Sequence, residues 1–231
     1  MLNEKFRRAL QLAVELHHKQ LRKSSDVPYV GHLLVVAGTV LEHGGDEDET
    51  AAALLHDAVE DQGGLPTLAR IRETCGERVA NLVEALSDRI PGSGRPRRGW
   101  RTRKEDYIAH LATADDGVRL VSCADKLHNC RAMVHDYRSK GDALWERFSA
   151  GREEQVWFYR ACATALRMAP PSARVEPLLE ELEDTVAELE LLAERGGLAH
   201  AMAISAWAHA NQRDKAGAPY VLHPIRIMLA Q

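Results

Sequence analysis

An all-α protein is the expectation from this sequence, and three observations carry it. Apolar residues recur at three- and four-residue spacing through most of the chain. No segment alternates apolar and polar residues with the period of a half-buried strand. Gly and Pro clusters fall between the periodic segments rather than inside them. A multi-helix bundle with a helical C-terminal extension follows.

The elements can be justified in order. Residues 4–21 place Phe6, Leu10, Ala13, Val14 and Leu16 along one helix face, and the turn-forming SSDVP follows. A second helix is expected over 31–43, ending at Gly44-Gly45. A third is expected over 48–60, with Asp48 as N-cap and Glu49 in the first turn, where an acid meets the positive end of the helix dipole. Residues 66–74 run from Pro66 to Gly76, the usual asymmetry of helix ends, and 77–87 is a short amphipathic segment. PGSGRPRRG at 91–99 reads as a flexible basic loop. Helical pattern resumes over 101–113 and 116–137, around the turn at Asp115-Asp116. One or two helices are expected over 140–168, and Pro170-Pro171 stops them. An acidic helix over 174–195 ends at Gly196-Gly197.

At 231 residues the chain is long enough to bury a substantial core. A net charge of −4 gives no general attraction to nucleic acid or to an anionic membrane, so any phosphate-binding surface must be local. The charged start, MLNEKFRRAL, has no secretory pattern, and no apolar run reaches the length of a membrane span. None of the four cysteines forms a CxxC pair. A cytoplasmic protein with reduced thiols is expected.

HHKQLRKSSDVPYVGH at 17–32 resembles HANQRDKAGAPYVLH at 209–223, with His-x-x-Gln, basic residues and Pro-Tyr-Val-x-His in both. This reads as a partial internal repeat. The second copy reaches Gln231 without a counterpart of His56-Asp57, so it is not expected to build a site of its own. The division expected is a main domain over 1–170 and an extension over 171–231. That extension could pack on its own molecule, exchange between two copies in a homodimer, or open a second domain. His223 is read as structural.

The chemistry-bearing residues are His32, His56-Asp57 in AALLHDAVED, Glu60-Asp61 one turn on, and Asp125 in SCADKLHN with Asn129 four residues later. Each alone has an ordinary reading: a turn histidine, a surface pair, an acid capping a helix or pairing with Lys126. Their conjunction is less ordinary. An acid beside a run of Ala and Leu is costly unless paired or metal-bound. Three acids beside one histidine repel one another without a cation. Imidazole and carboxylate together suit divalent ions such as Mn, Fe, Zn or Mg.

The order His…His-Asp…Asp resembles the HD phosphohydrolase superfamily. The finer motifs are similar to its alarmone-hydrolase branch, the hydrolase half of RelA/SpoT enzymes and the small stand-alone alarmone hydrolases. The matching pieces are His17-x-x-Gln20-x-Arg22-Lys23, Pro28-Tyr29-x-x-His32, Ala53-Leu54-Leu55-His56-Asp57-x-x-Glu60-Asp61 and Ala124-Asp125-Lys126-Leu127-x-Asn129, over roughly residues 1–170. The resemblance implies His32, His56, Asp57 and Asp125 as ligands of one divalent metal, Mn first, with Fe, Zn, Mg or Co as alternatives. It implies Glu60 and Asp61 as the catalytic acids beside the attacking water. It implies Arg22, Lys23, Arg103, Lys104 and Asn129 as substrate-binding residues. The activity implied is removal of the 3′-pyrophosphate from guanosine tetra- or pentaphosphate. The partner is then a phosphorylated nucleotide, without nucleic acid or membrane. Two departures bear on the substrate: His32 is followed by Leu33 where the family usually has Pro, and the PGSGRPRRG loop precedes the phosphate-facing helix. The alternatives are an HD hydrolase of another nucleotide phosphate ester, such as a nucleotidase or dinucleotide cofactor phosphatase, and a non-catalytic nucleotide-binding module.

Overall fold

The computed structural model describes residues 2–23, 25–94, 98–194, 202 and 205–229. Arg95–Arg97 of the basic loop and the expected helix stop at Gly196-Gly197 lie outside the described residues. The regular elements described are all helical. They are α1 (Glu4–His17), α2 (Val30–Glu42), α3 (Glu47–Leu55), α4 (Ala58–Asp61), α5 (Leu65–Cys75), α6 (Glu77–Leu86), α7 (Trp100–Leu111), α8 (Asp116–Lys140), a 3-10 segment (Gly141–Arg147), α9 (Gly151–Met168), α10 (Glu176–Ala193) and α11 (Leu222–Leu229). No helix among these residues is long and apolar enough to cross a membrane.

Two helices form the centre. The Thr50–Leu55 stretch of α3 is fully buried, and α1, α2 and α6 pack around it. Helix α8 packs on α2, α3, α6, α9 and α10, and buries Leu120, Val121, Cys123 and Leu127. All four cysteines are buried and free. Helix α10 belongs to this body as well: Leu178, Leu179, Leu182 and Leu189 are fully buried against α8 and α9. Each such side chain contributes about 1.5–3 kcal/mol. Its docking is reinforced by Arg174, which pairs with buried Glu49 at 2.7 Å and with Asp116.

Three boundaries differ from the periodicity, each for a local reason, and the 140–168 region takes the second of its two expected forms. Helix α1 stops at His17 rather than at residue 21, because the backbone beyond it pairs across the following turn. Arg22 N–H donates to the Val27 carbonyl (2.8 Å) and Tyr29 N–H to that of Gln20 (2.9 Å). The third helix has its N-cap two residues before Asp48. Asp46 is the N-cap, and its side chain accepts from Glu49 N–H while the Glu49 side chain accepts from Asp46 N–H. The segment expected as one helix over 48–60 breaks at His56-Asp57, leaving α3 and α4 on either side. The 140–168 region divides into the 3-10 segment and α9 at Gly151, which has φ +73°.

The repeat recurs in three dimensions. An isolated antiparallel bridge joins Leu21 to Pro28, and another joins Arg213 to Pro219. Tyr220 N–H donates to the Gln212 carbonyl at 2.8 Å as Tyr29 N–H does to Gln20. His209 Nδ1 lies 2.8 Å from Gln212 Oε1, as His17 Nδ1 lies 2.6 Å from Gln20 Oε1. The shared motif therefore encodes a local hairpin whose geometry does not depend on the site built around its first copy.

Candidate active site

Three elements bring the expected ligands together. His32 sits in the first turn of α2, His56 and Asp57 form the corner between α3 and α4, and Asp125 faces them from the middle of α8. The break at residues 56–57 matters, because adjacent residues on a continuous helix point about 100° apart. At the corner, His56 Nε2 and Asp57 Oδ2 come within 3.0 Å. His32 Nε2 is 3.7 Å from Asp57 Oδ2 and 3.2 Å from Asp125 Oδ1, and His56 Nε2 is 3.5 Å from Asp125 Oδ1. Ligand atoms of His32, His56 and Asp57 all lie within 4.8 Å of one another. Nitrogen and oxygen donors bound at about 2.0–2.2 Å to one ion stand roughly 3–4 Å apart, the spacing found here.

The tautomers fit the same purpose. His56 Nδ1 lies 2.8 Å from the Ala53 carbonyl, which can only accept, so Nδ1 carries the proton and Nε2 offers a lone pair. His32 Nδ1 lies 2.7 Å from His128 Nδ1, and when it donates there its Nε2 is likewise free to ligate. Both Nε2 atoms are buried without a hydrogen-bond partner, a costly state that a cation would relieve. Tyr29 Oη donates to Asp57 Oδ2, and Asn129 Nδ2 donates to Asp125 Oδ1 at 2.5 Å. Burial alone would raise the acids and lower the imidazole. Neighbouring charges override it: His56 holds Asp57 well below the usual carboxylate range, Lys126 and then the two imidazoles hold Asp125 there, and Asp57 holds His56 well above its ordinary value. The donors of His32, His56 and Asp57 fit a divalent ion, and Asp125 Oδ1 stands 3.2 Å and 3.5 Å from the two imidazole Nε2 atoms.

A cavity of about 540 Å³ opens on this group, lined in part by Arg22, Lys23, Lys104, Asn129, Phe148 and Phe158. Glu60 and Asp61 stand on its wall from α4. Glu60 accepts from Asp88 N–H at 2.6 Å. Burial, with the charges of Asp88 and Asp57, pushes its carboxyl up to about 8. Asp61 is raised as well, chiefly by burial and then by Asp57. Gln20 Nε2 donates to Asp61 Oδ2 at 2.7 Å, while its own oxygen accepts from Gln62 at 2.5 Å and lies 2.6 Å from His17 Nδ1.

The basic residues divide. Arg22 donates twice to Asn129 Oδ1 (3.0 Å each), which joins the far side of the cavity to Asp125 through one amide. Lys23 Nζ lies 5.9 Å from the centre of the Phe148 ring. Lys104 lines the cavity, but its ammonium is 2.6 Å from Asp88 Oδ2. Arg103 is not among the cavity residues and pairs with Asp88 Oδ1 at 2.6 Å. Several residues of this site carried no role in the sequence reading. Gln20 and Tyr29 stand in the quoted motifs, so a signal exists for them, and His128, which shares a helix with Asp125, is legible from the sequence as a candidate support of the ligands. Asp88 follows α6 in a loop without a recognisable pattern, and only the tertiary structure brings it to the site.

The HD domain, as a sequence family, matches residues 9–156 of this chain. The chain belongs to the HD-domain family. Among curated relatives of this HD domain, a probable GTP pyrophosphokinase from Mycobacterium leprae is 41% identical over 128 residues, 54% of this chain and 15% of the relative. The guanosine-3′,5′-bis(diphosphate) 3′-pyrophosphohydrolase MESH1 of Xenopus tropicalis is 37% identical over 129 residues, 54% of this chain and 67% of that protein. The chain spans only 16–18% of the length of several other curated relatives it matches. A solved structure described as a metazoan orthologue of SpoT that hydrolyses ppGpp superposes on the HD domain with a TM-score of 0.63 and 26% identity. The match covers 80% of this chain and 96% of that one.

Proposed function

We propose that this HD domain is a metal-dependent phosphohydrolase that removes the 3′-pyrophosphate of guanosine tetra- or pentaphosphate. One observation carries the reading: two buried imidazole Nε2 atoms, each turned lone pair outward by the partner on its other nitrogen, meet two carboxylates at the mouth of a nucleotide-sized cavity. His32, His56, Asp57 and Asp125 would hold the ion. Mn is the ion proposed, because mixed imidazole and carboxylate donors suit it; Fe, Zn, Mg and Co remain within the same donor chemistry. A divalent ion bound there supplies a water of lowered pKa and polarises a phosphoryl oxygen.

The rest is the work of the chain. Glu60 and Asp61 orient the attacking water and receive its proton. The water oxygen bonds to phosphorus, the bond from that phosphorus to the ribose 3′ oxygen breaks, and the 3′ oxygen takes up a proton as pyrophosphate leaves. Lys104 offsets phosphate charge, while Arg22, Lys23 and Asn129 face the nucleoside end. Arg103 acts from behind Asp88 rather than on the phosphates.

The cytoplasm is the proposed location, in keeping with four free buried thiols. A catalytic unit over 1–170 with an extension over 171–231 is the proposed organisation, with the first part of that extension, α10, packed into the same body. A homodimer through the remainder is proposed with it.

The experiment is Asp125→Ala, followed by metal analysis and turnover of guanosine tetraphosphate with added Mn. The reading expects loss of bound metal and a fall in turnover of at least about a thousandfold. Unchanged metal content and activity would remove Asp125 from the site. A nucleotide panel assayed alongside should show guanosine tetraphosphate cleaved fastest.

A further inference from the structure

Asp88 has a role that the motifs do not contain. Its side chain is 3% exposed, and its two carboxylate oxygens take different cations: Oδ1 lies 2.6 Å from Arg103 Nη1 and Oδ2 lies 2.6 Å from Lys104 Nζ. Its backbone N–H holds Glu60 at 2.6 Å. Asp88 and Lys104 line the cavity, whereas Arg103 reaches Asp88 from outside the lining. The loop is fixed nearby. Gly64, at φ +68°, lies so close to Pro91 that a Cβ would stand 2.0 Å from its carbonyl oxygen, and Leu65 N–H donates to that oxygen at 3.1 Å.

A buried acid with one partner would be stranded if a phosphate removed that partner. Asp88 is not in that position. Arg103 can keep its charge compensated while Lys104 turns to a ligand, and Lys104 keeps an aromatic neighbour, its Nζ 4.6 Å from the Phe158 ring centre. We infer that Asp88 is a specificity-determining residue. It cancels the charge of Lys104 until a group as anionic as a diphosphate takes the lysine, so singly esterified phosphates are disfavoured. The ligand class rests on the phosphohydrolase reading above; the charge exchange itself requires only an anion in the cavity.

The test is calorimetric binding of inorganic pyrophosphate and of orthophosphate to the full chain in the presence of a chelator, so that neither turnover nor metal loading enters. Asp88→Asn keeps the size of the side chain and leaves the backbone contact to Glu60 in place. It is expected to tighten pyrophosphate binding about tenfold and to narrow the preference over orthophosphate. Asp88→Glu should bind within about twofold of the wild type, and adding Lys104→Gln to Asp88→Asn should abolish the gain. Pyrophosphate binding that is undetectable in every variant, or unchanged in Asp88→Asn, overturns the inference. If Asp88→Asn does not fold, Lys104→Gln alone decides. A loss of about tenfold supports the inference, and unchanged affinity overturns it. A protein that binds as described yet fails to cleave guanosine tetraphosphate would sink the functional reading and leave this one standing.

Discussion

The Nδ1 atoms of His32 and His128 lie 2.7 Å apart, so a single proton must sit between them. His128 is lowered to about 4 by burial, and then by His32 and Arg22. It is therefore neutral near pH 7 and can accept from His32. The partner of a ligand histidine fixes both its tautomer and the orientation of its ring.

Replacing His128 by Ala should weaken Mn binding about 10- to 100-fold, while His128→Gln, which retains an acceptor, should recover much of it. Metal titration of the two variants separates an orienting role from a filling one. Equal losses would mean that the ring matters only for packing.

Removing the metal should cost stability. At a free metal concentration of 100 times Kd, an ion that binds only the folded state contributes about 2.7 kcal/mol. For a chain of this length that corresponds to a shift in Tm of roughly 5–10 °C on chelation. Scanning calorimetry with and without chelator checks it, and no shift would argue against a bound ion.

Gln20 fixes Asp61. Its amide oxygen is engaged by Gln62 and His17, which leaves only the amino end to face the Asp61 carboxylate. Gln20→Ala should lower kcat about 10- to 100-fold with KM changed less than about twofold, because Asp61 acts on the water rather than on the ground-state nucleotide. A change confined to KM would place Gln20 in substrate binding instead.

Glu60 gives a pH signature in the metal-free protein. Its folded-state value of about 8 lies above the ordinary value of 4.5, so the folded chain binds the extra proton between the two. Its contribution to stability is fully present below about 4.5 and is lost as pH rises through about 8. Glu60→Gln should flatten this dependence, leaving the variant more stable than the wild type at pH 8.5 and close to it at pH 4.5. Denaturant midpoints at the two pH values measure it. Parallel profiles would show that Glu60 is ionised throughout.

Arg174→Ala should destabilise the protein by about 2–3 kcal/mol, since it removes the nearer guanidinium from the buried Glu49 carboxylate and leaves only Arg78, 3.7 Å away. The loss should appear in the denaturant midpoint and leave metal affinity unchanged. A midpoint within about 0.5 kcal/mol of the wild type would show that Glu49 is compensated by other groups.

By itself the sequence determined the helices and the chemistry of the ligands. Apolar spacing marks α2, α5, α6 and α8 to within a few residues, because each helix must bury one stripe. The motif around His17–His32 carries its own hairpin, which is why the copy at 209–223 takes the same shape. The tertiary structure decided what those residues do together. Whether His56 and Asp57 could grip one ion depended on a break in a segment whose composition reads as continuous helix. Gln20 and His128 acquire their partners from elements 41 and 96 positions away, and Asp88, in a loop, takes its two cations from α7. Periodicity reports which face of an element is apolar. Partners that depend on how elements cross leave no periodic trace, and here those crossings bring the imidazoles of His32 and His56, the acids Asp57, Glu60, Asp61, Asp88 and Asp125, and Lys104 to one site.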